Sequence, residues 1–156
     1  MGLGSLTMTS LFNRRRVLAL GAGAMGVALT GMPALAKNDS DAVIQEFTGG
    51  KKPVDGKVKL DLPEIAENGN TVPMTVTVDS PMTEQSHVTD VIIVAPENPR
   101  AKVVTFHFSP ASGVAEANTR IRLGATQDVI AIAKMNDGSL FMASKPVKVT
   151  VGGCGG

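Results

Sequence analysis

Val72-Pro73-Met74-Thr75-Val76-Thr77-Val78 places an apolar side chain at every second position, with a polar residue or proline between. Successive side chains of a strand point to opposite faces, so this period of two makes one dry face and one wet face. A helix of about 3.6 residues per turn cannot do that with the same residues. The alternation recurs on both sides of the stretch. Val58, Leu60 and Leu62 form an earlier set and Val104, Phe106 and Phe108 a later one, each expected to bury one face. Val88 to Val94 contains the near-continuous apolar run Val91-Ile92-Ile93-Val94, and further strands are expected from Thr119 to Leu123 and from Val129 to Met135. Asn136-Asp137-Gly138 predicts a hairpin turn feeding Leu140-Phe141-Met142. Lys145-Pro146-Val147-Lys148-Val149-Thr150-Val151 supplies the last strand, with Val147, Val149 and Val151 on one side.

Seven or eight short strands divided by Pro, Gly, Asn and Asp, with no long helix among them, predict an all-β fold. The architecture expected over residues 37–151 is an immunoglobulin-like antiparallel β-sandwich. One short helix precedes it. Asp39 or Ser40 can cap it, Ala42, Val43, Ile44 and Phe47 lie on or near one face, and Gly49-Gly50 stop it. Such a helix is too short to persist unless docked. Asn68-Gly69-Asn70 has the chemistry of a turn, and the expectation is that it is nothing more.

The 156 residues hold 15 basic and 14 acidic side chains, so no charge bias points to nucleic acid or anionic lipid. Aromatic residues make up 3%, with neither Trp nor Tyr, which argues against base-stacking platforms and aromatic grooves. The first 36 residues read as a leader. Arg14-Arg15-Arg16 precedes an apolar run from Val17 to about Leu29, and Pro33-Ala34-Leu35-Ala36 offers small residues at a cleavage site between Ala36 and Lys37. The paired Arg14 and Arg15, followed after one residue by Val17-Leu18, resemble a twin-arginine export signal, with Asn13 where Ser or Thr is usual. The apolar run is too short to cross roughly 30 Å of hydrocarbon. Removing the three arginines from 15 basic residues leaves 12 against 14 acidic ones, a formal charge of −2 on a periplasmic domain with no membrane attachment.

The chain ends in Gly152-Gly153-Cys154-Gly155-Gly156, which holds the single cysteine. Four glycines around one thiol build no core, and the reading is a flexible arm carrying one nucleophile. Counted from Val151, the sulfur is expected to swing within roughly 10 Å. Valine at Gly153 or Gly155 is expected to hinder entry into a partner's channel while sparing the fold. Three other roles stand beside that of a thiol reaching into a partner's pocket. Cys154 could form only an intermolecular disulfide, giving a disulfide-linked homodimer. It could serve a thiol enzyme, with His87 or His107 folding back as base. It could join both histidines at a metal, although that wants a rigid sulfur, and the expectation is no metal and no cofactor.

Taken with the leader, Glu46-Phe47-Thr48-Gly49-Gly50, the stretch from Leu62 to Pro73, Thr119-Arg120-Ile121-Arg122-Leu123 and the terminal pentapeptide resemble the SoxY family of sulfur carriers. The resemblance runs from Asp39 to Gly156 with no departure in the terminal motif. It implies periplasmic thiosulfate oxidation, with thiosulfate-derived sulfur attached to Cys154 and Gly152, Gly153, Gly155 and Gly156 as swinging arm. It also implies a heterodimer with SoxZ, and passing encounters with the haem-containing SoxAX, with SoxB and, where present, with SoxCD. On that reading the chain is not itself an enzyme.

Overall fold

The computed structural model describes residues 39–153. Arg14 and Arg15, the junction of Ala36 and Lys37, and Cys154, Gly155 and Gly156 lie outside the described residues. Helix α1 (Ser40–Thr48) is followed by β1 (Val54–Asp55), β2 (Val58–Asp61), β3 (Ile65–Ala66), β4 (Val72–Val78), β5 (Val88–Val94) and β6 (Lys102–His107). A short 3-10 turn (Pro110–Ser112) leads to β7 (Ala115–Ile121), β8 (Gln127–Met135) and β9 (Leu140–Val149). One sheet runs β1-β9-β8-β5-β6 with β3 also on β9, and the other runs β2-β4-β7. The two sheets make the expected immunoglobulin-like sandwich, antiparallel except where β1 and β3 join β9.

The period of two does its work in β4, where Val72, Met74, Val76 and Val78 are buried and Pro73 is exposed. Pro73 lies beyond the last β2 pair, Asp61 with Thr75, so on that side it removes no bond. Val91, Ile93, Val129, Ala131, Ala133 and Val147 face β4 from the other sheet. The continuous run in β5 has a different cause. Val91 and Ile93 belong to the sandwich interior, whereas Ile92 and Val94 join a second cluster with Ile132 and Leu140 under Val43, Ile44 and Phe47 of α1. A central strand covered on both faces has no wet side to encode. Phe47 is half-buried and its ring lies 4.5 Å under the Lys134 ammonium. Phe47→Ala is expected to cost about 1–2 kcal/mol, less than a full aromatic truncation because the ring is only partly covered. Urea unfolding followed by circular dichroism would read it as a lower midpoint at unchanged slope.

Helix α1 ends at Gly49, whose φ of 63° is the left-handed conformation a glycine cap supplies. Asp39 sits at its N-cap but does not cap it, its carboxylate accepting instead from the Ala101 N–H at 2.9 Å. The hairpin turn forms as expected. The Ser139 N–H donates to the Asp137 carboxylate at 2.8 Å, and that bond with its side-chain counterpart holds the Asp137 pKa below its ordinary value. The ionised form is favoured in the folded turn, so this contribution is lost as pH falls through the lowered value.

Four expectations are corrected. Leu140-Phe141-Met142 and Lys145 onward are one ten-residue strand, despite Pro146. The Met142 carbonyl accepts from Gly56 and the Lys148 N–H donates to Glu64, so even-numbered backbone groups of β9 face β1 and β3. Residue 146 faces the same way, in the gap between those two short strands, so its missing N–H breaks no ladder bond among the described residues. Second, Val151 is not on a buried face. It is 62% exposed, beyond the strand's end. Third, β7 ends at Ile121 and begins earlier, at Ala115. Fourth, Val104, Phe106 and Phe108 are only half-buried, since among the described residues β6 is the sheet's edge.

Candidate functional site

Past β9 the backbone stays bonded. The Thr150 N–H donates to the Ala66 carbonyl at 3.0 Å and its hydroxyl to the Glu67 carbonyl at 2.9 Å. Gly69 then donates its N–H to the Val151 carbonyl at 2.8 Å, and its own carbonyl accepts from the Leu123 N–H at 2.8 Å. The Gly153 N–H completes the crossing by donating to the Leu123 carbonyl at 3.0 Å. Three segments distant in sequence thus meet backbone to backbone at the end of the sandwich.

Only residues without a Cβ permit that approach. A Cβ on Gly69 would overlap the Leu123 carbonyl and stand 2.7 Å from the Gly153 nitrogen. One on Gly152 would overlap the Gly124 carbonyl, and one on Gly153 would come to 2.9 Å from the Gly69 carbonyl. Gly69 and Gly153 are buried, whereas Gly152 is exposed. These glycines therefore serve close packing. Gly152 and Gly153, expected to belong to a flexible arm, lie at this crossing, Gly153 with its N–H bonded and Gly152 against the Gly124 carbonyl. Valine at Gly153, expected to spare the fold, would press its side chain on the Gly69 backbone. Asn68-Gly69-Asn70 is also more than a turn, although it has turn chemistry, with the Asn70 N–H donating to the Asn68 side chain at 3.0 Å.

A polar cluster backs the crossing, and the sequence reading missed it. The Asn98 Oδ1 accepts from the Gly124 N–H at 2.8 Å and from Gln127 Nε2 at 3.0 Å, while Asn98 Nδ2 donates to the Arg122 carbonyl at 2.8 Å. Gln127 is 7% exposed, a buried amide among apolar strands. The Pro-bounded loop at Asn98 and a Gln opening a strand were the sequence signals, both too common to stand out.

The histidines are elsewhere. His107 bonds Asp90 through Nδ1 at 2.6 Å, and His87 donates from Nδ1 to the Thr83 carbonyl at 2.9 Å. Asp90 pairs with Lys134, which pairs with Leu140 at the start of β9, whereas the crossing follows Val149 at its end. The length of β9 separates them, about 30 Å at roughly 3.3 Å per residue. No histidine stands as a base at the root of the terminal segment. Among the described residues no group of three His, Cys, Asp or Glu side chains could hold a metal ion, and no helix is long and apolar enough to cross a membrane.

The described residues form a two-sheet β-sandwich whose last strand runs into the glycine crossing. The family model described as sulfur oxidation protein SoxY matches residues 44–154, most of the chain, and the chain belongs to the SoxY family. Among solved structures it is similar to the sulfur carrier protein SoxY from Chlorobium limicola f thiosulfatophilum, at 30% identity and a TM-score of 0.58, covering 71% of this chain and 96% of that one. Two superoxide reductases share the fold alone. That from Ignicoccus hospitalis is 19% identical with a TM-score of 0.55, covering 60% of this chain and 80% of that one. That from Nanoarchaeum equitans is 12% identical with a TM-score of 0.52, covering 62% and 100%. No curated protein matches the chain.

Proposed function

We propose that this chain is the sulfur carrier of a periplasmic thiosulfate-oxidising system, bearing thiosulfate-derived sulfur on Cys154 and presenting it to partner enzymes. The observation that carries the reading is the placement of the only cysteine. It follows directly on a bonded glycine crossing, with both histidines about 30 Å of strand away. A thiol so placed has no histidine at its root to activate it, so the chemistry is brought by others. Family membership and the likeness to the Chlorobium sulfur carrier support the same reading.

The steps balance with Cys154 as the covalent site. The thiolate and thiosulfate join through a new S–S bond, giving Cys–S–S–SO3⁻ and two electrons, which pass to a haem-containing partner of the SoxAX type. Water then cleaves the S–SO3⁻ bond on a hydrolase of the SoxB type, releasing sulfate and two protons and leaving a persulfide on Cys154. Where SoxCD is present, it oxidises that remaining sulfur. An ordinary thiol pKa near 8.5 leaves a few per cent thiolate at neutral pH, enough for attack and exchange. The chain is a substrate-bearing subunit in this scheme, paired with SoxZ and exported by the twin-arginine route through Arg14 and Arg15 with cleavage after Ala36. Gly155, beyond the crossing, is the arm position where valine would slow the partners.

Intact mass spectrometry of the native periplasmic protein is expected to give a mass beginning at Lys37. It should also show adducts of one or more sulfur atoms, with or without a sulfonate, on the terminal peptide, and reductant should remove them. A protein that never carries sulfur during growth on thiosulfate would overturn the carrier reading. A reductant-sensitive doubling of mass as the sole modification would favour the disulfide-linked homodimer.

A further inference from the structure

We propose that Asn98 and Gln127, acting through Leu123 and Gly69, are positioning residues that clamp the root of the carrier arm, so that the part partners handle begins at Cys154. This rests on the carrier reading above. Leu123 makes two of the three bonds of the crossing, donating to Gly69 and accepting from Gly153. It is fully buried, and the backbone around it is gripped at three points. Asn98 holds the Arg122 carbonyl and the Gly124 N–H, and Gln127 Nε2 donates to the Ala125 carbonyl at 3.1 Å. Gln127 Oε1 in turn accepts from the Glu97 N–H at 2.9 Å, which ties the loop carrying Asn98 to the start of β8. A main-chain wall propped this way keeps the carbonyl that Gly153 binds in one place.

The consequence for transfer is a matter of reach. A tether of three residues from Val151 lets the cysteine Cα travel about 11 Å, whereas one residue from Gly153 allows about 4 Å. The volume searched scales with the cube of that reach, so the clamp concentrates the thiol roughly twentyfold near the end of the sandwich. A partner enzyme then meets the sulfur at a defined place instead of capturing it from a wide shell. Loosening the clamp should weaken productive encounters more than it slows chemistry once an encounter is made.

Two readouts on the full exported protein test this. In wild type, amide exchange by NMR should be on the order of 100-fold slower at Gly153 than at Gly155 and Gly156. Asn98→Ala should speed exchange at Gly153 by about tenfold while the amides of β4 and β8 keep their protection. The concentration of carrier that half-saturates its loading enzyme should rise about tenfold in that variant, with the rate at saturation within about twofold of wild type. Gln127→Met repeats the test where Asn98→Ala does not fold. Exchange at Gly153 as fast as at Gly155 in wild type overturns the clamp, and so does unchanged protection in both variants. Lost protection with an unchanged half-saturating concentration overturns the positioning role. Should wild type accept no sulfur at all, the carrier reading fails and the exchange data still decide whether the clamp exists.

Discussion

Cys154→Ser is expected to abolish thiosulfate-dependent electron transfer in a reconstituted system, by a factor on the order of a thousand or more, as when an enzyme loses its nucleophile. Serine keeps the shape and loses the chemistry. Its hydroxyl is scarcely ionised at neutral pH and forms no S–S bond with thiosulfate, so neither the thiosulfonate nor the persulfide can exist. The fold should not respond, because among the described residues the hydrogen bonds of the glycine crossing use the backbone of Gly69, Leu123, Val151 and Gly153. Cytochrome reduction with thiosulfate as donor measures the first effect and thermal unfolding the second. Retained electron transfer would mean that the sulfur travels by a route that bypasses this chain's only thiol.

Met74→Ala carries the largest expected effect on stability. Met74 is 1% exposed at the middle of β4, paired with Thr119 of β7 and facing the wider sheet. Truncating a buried methionine leaves a cavity that stiff β-branched neighbours such as Val76 and Ile121 cannot close, at a cost of about 2–5 kcal/mol. A domain of this size has about 5–15 kcal/mol in all, and with a single cysteine it has no internal disulfide to hold the unfolded chain. The melting temperature should fall by roughly 10–20 °C. A shift of less than about 3 °C in a calorimeter would mean that the sheets do not pack on this side chain.

The parts of the fold legible in the sequence were those with a local signal, an alternation where one face meets water or, in β5, an unbroken apolar run where neither does. β4 alternates strictly because one face lies on the core, and α1 shows its docking face and its glycine stop. β1 and β3 escaped because two residues carry no period, and they exist only through β9. The start of β7 escaped because Ala115 and Ala117 hold the inward positions, and alanine signals a strand weakly. The close packing at the root of the arm was not legible for a more general reason. Glycine in a sequence reads as freedom, yet Gly69, Gly152 and Gly153 are there because three backbones touch. That contact joins residues more than 80 positions apart, and no local pattern records it. The family resemblance rested on those same residues without explaining them.

The proline gap in β9 has one more consequence. The longest strand of the molecule has its outer rim covered at both ends by β1 and β3 and lacks a donor at Pro146 between them. Another chain therefore finds no continuous ladder to extend, and strand-to-strand polymerisation along this rim is blocked. The protein can then reach high concentration without its copies zipping together at that edge.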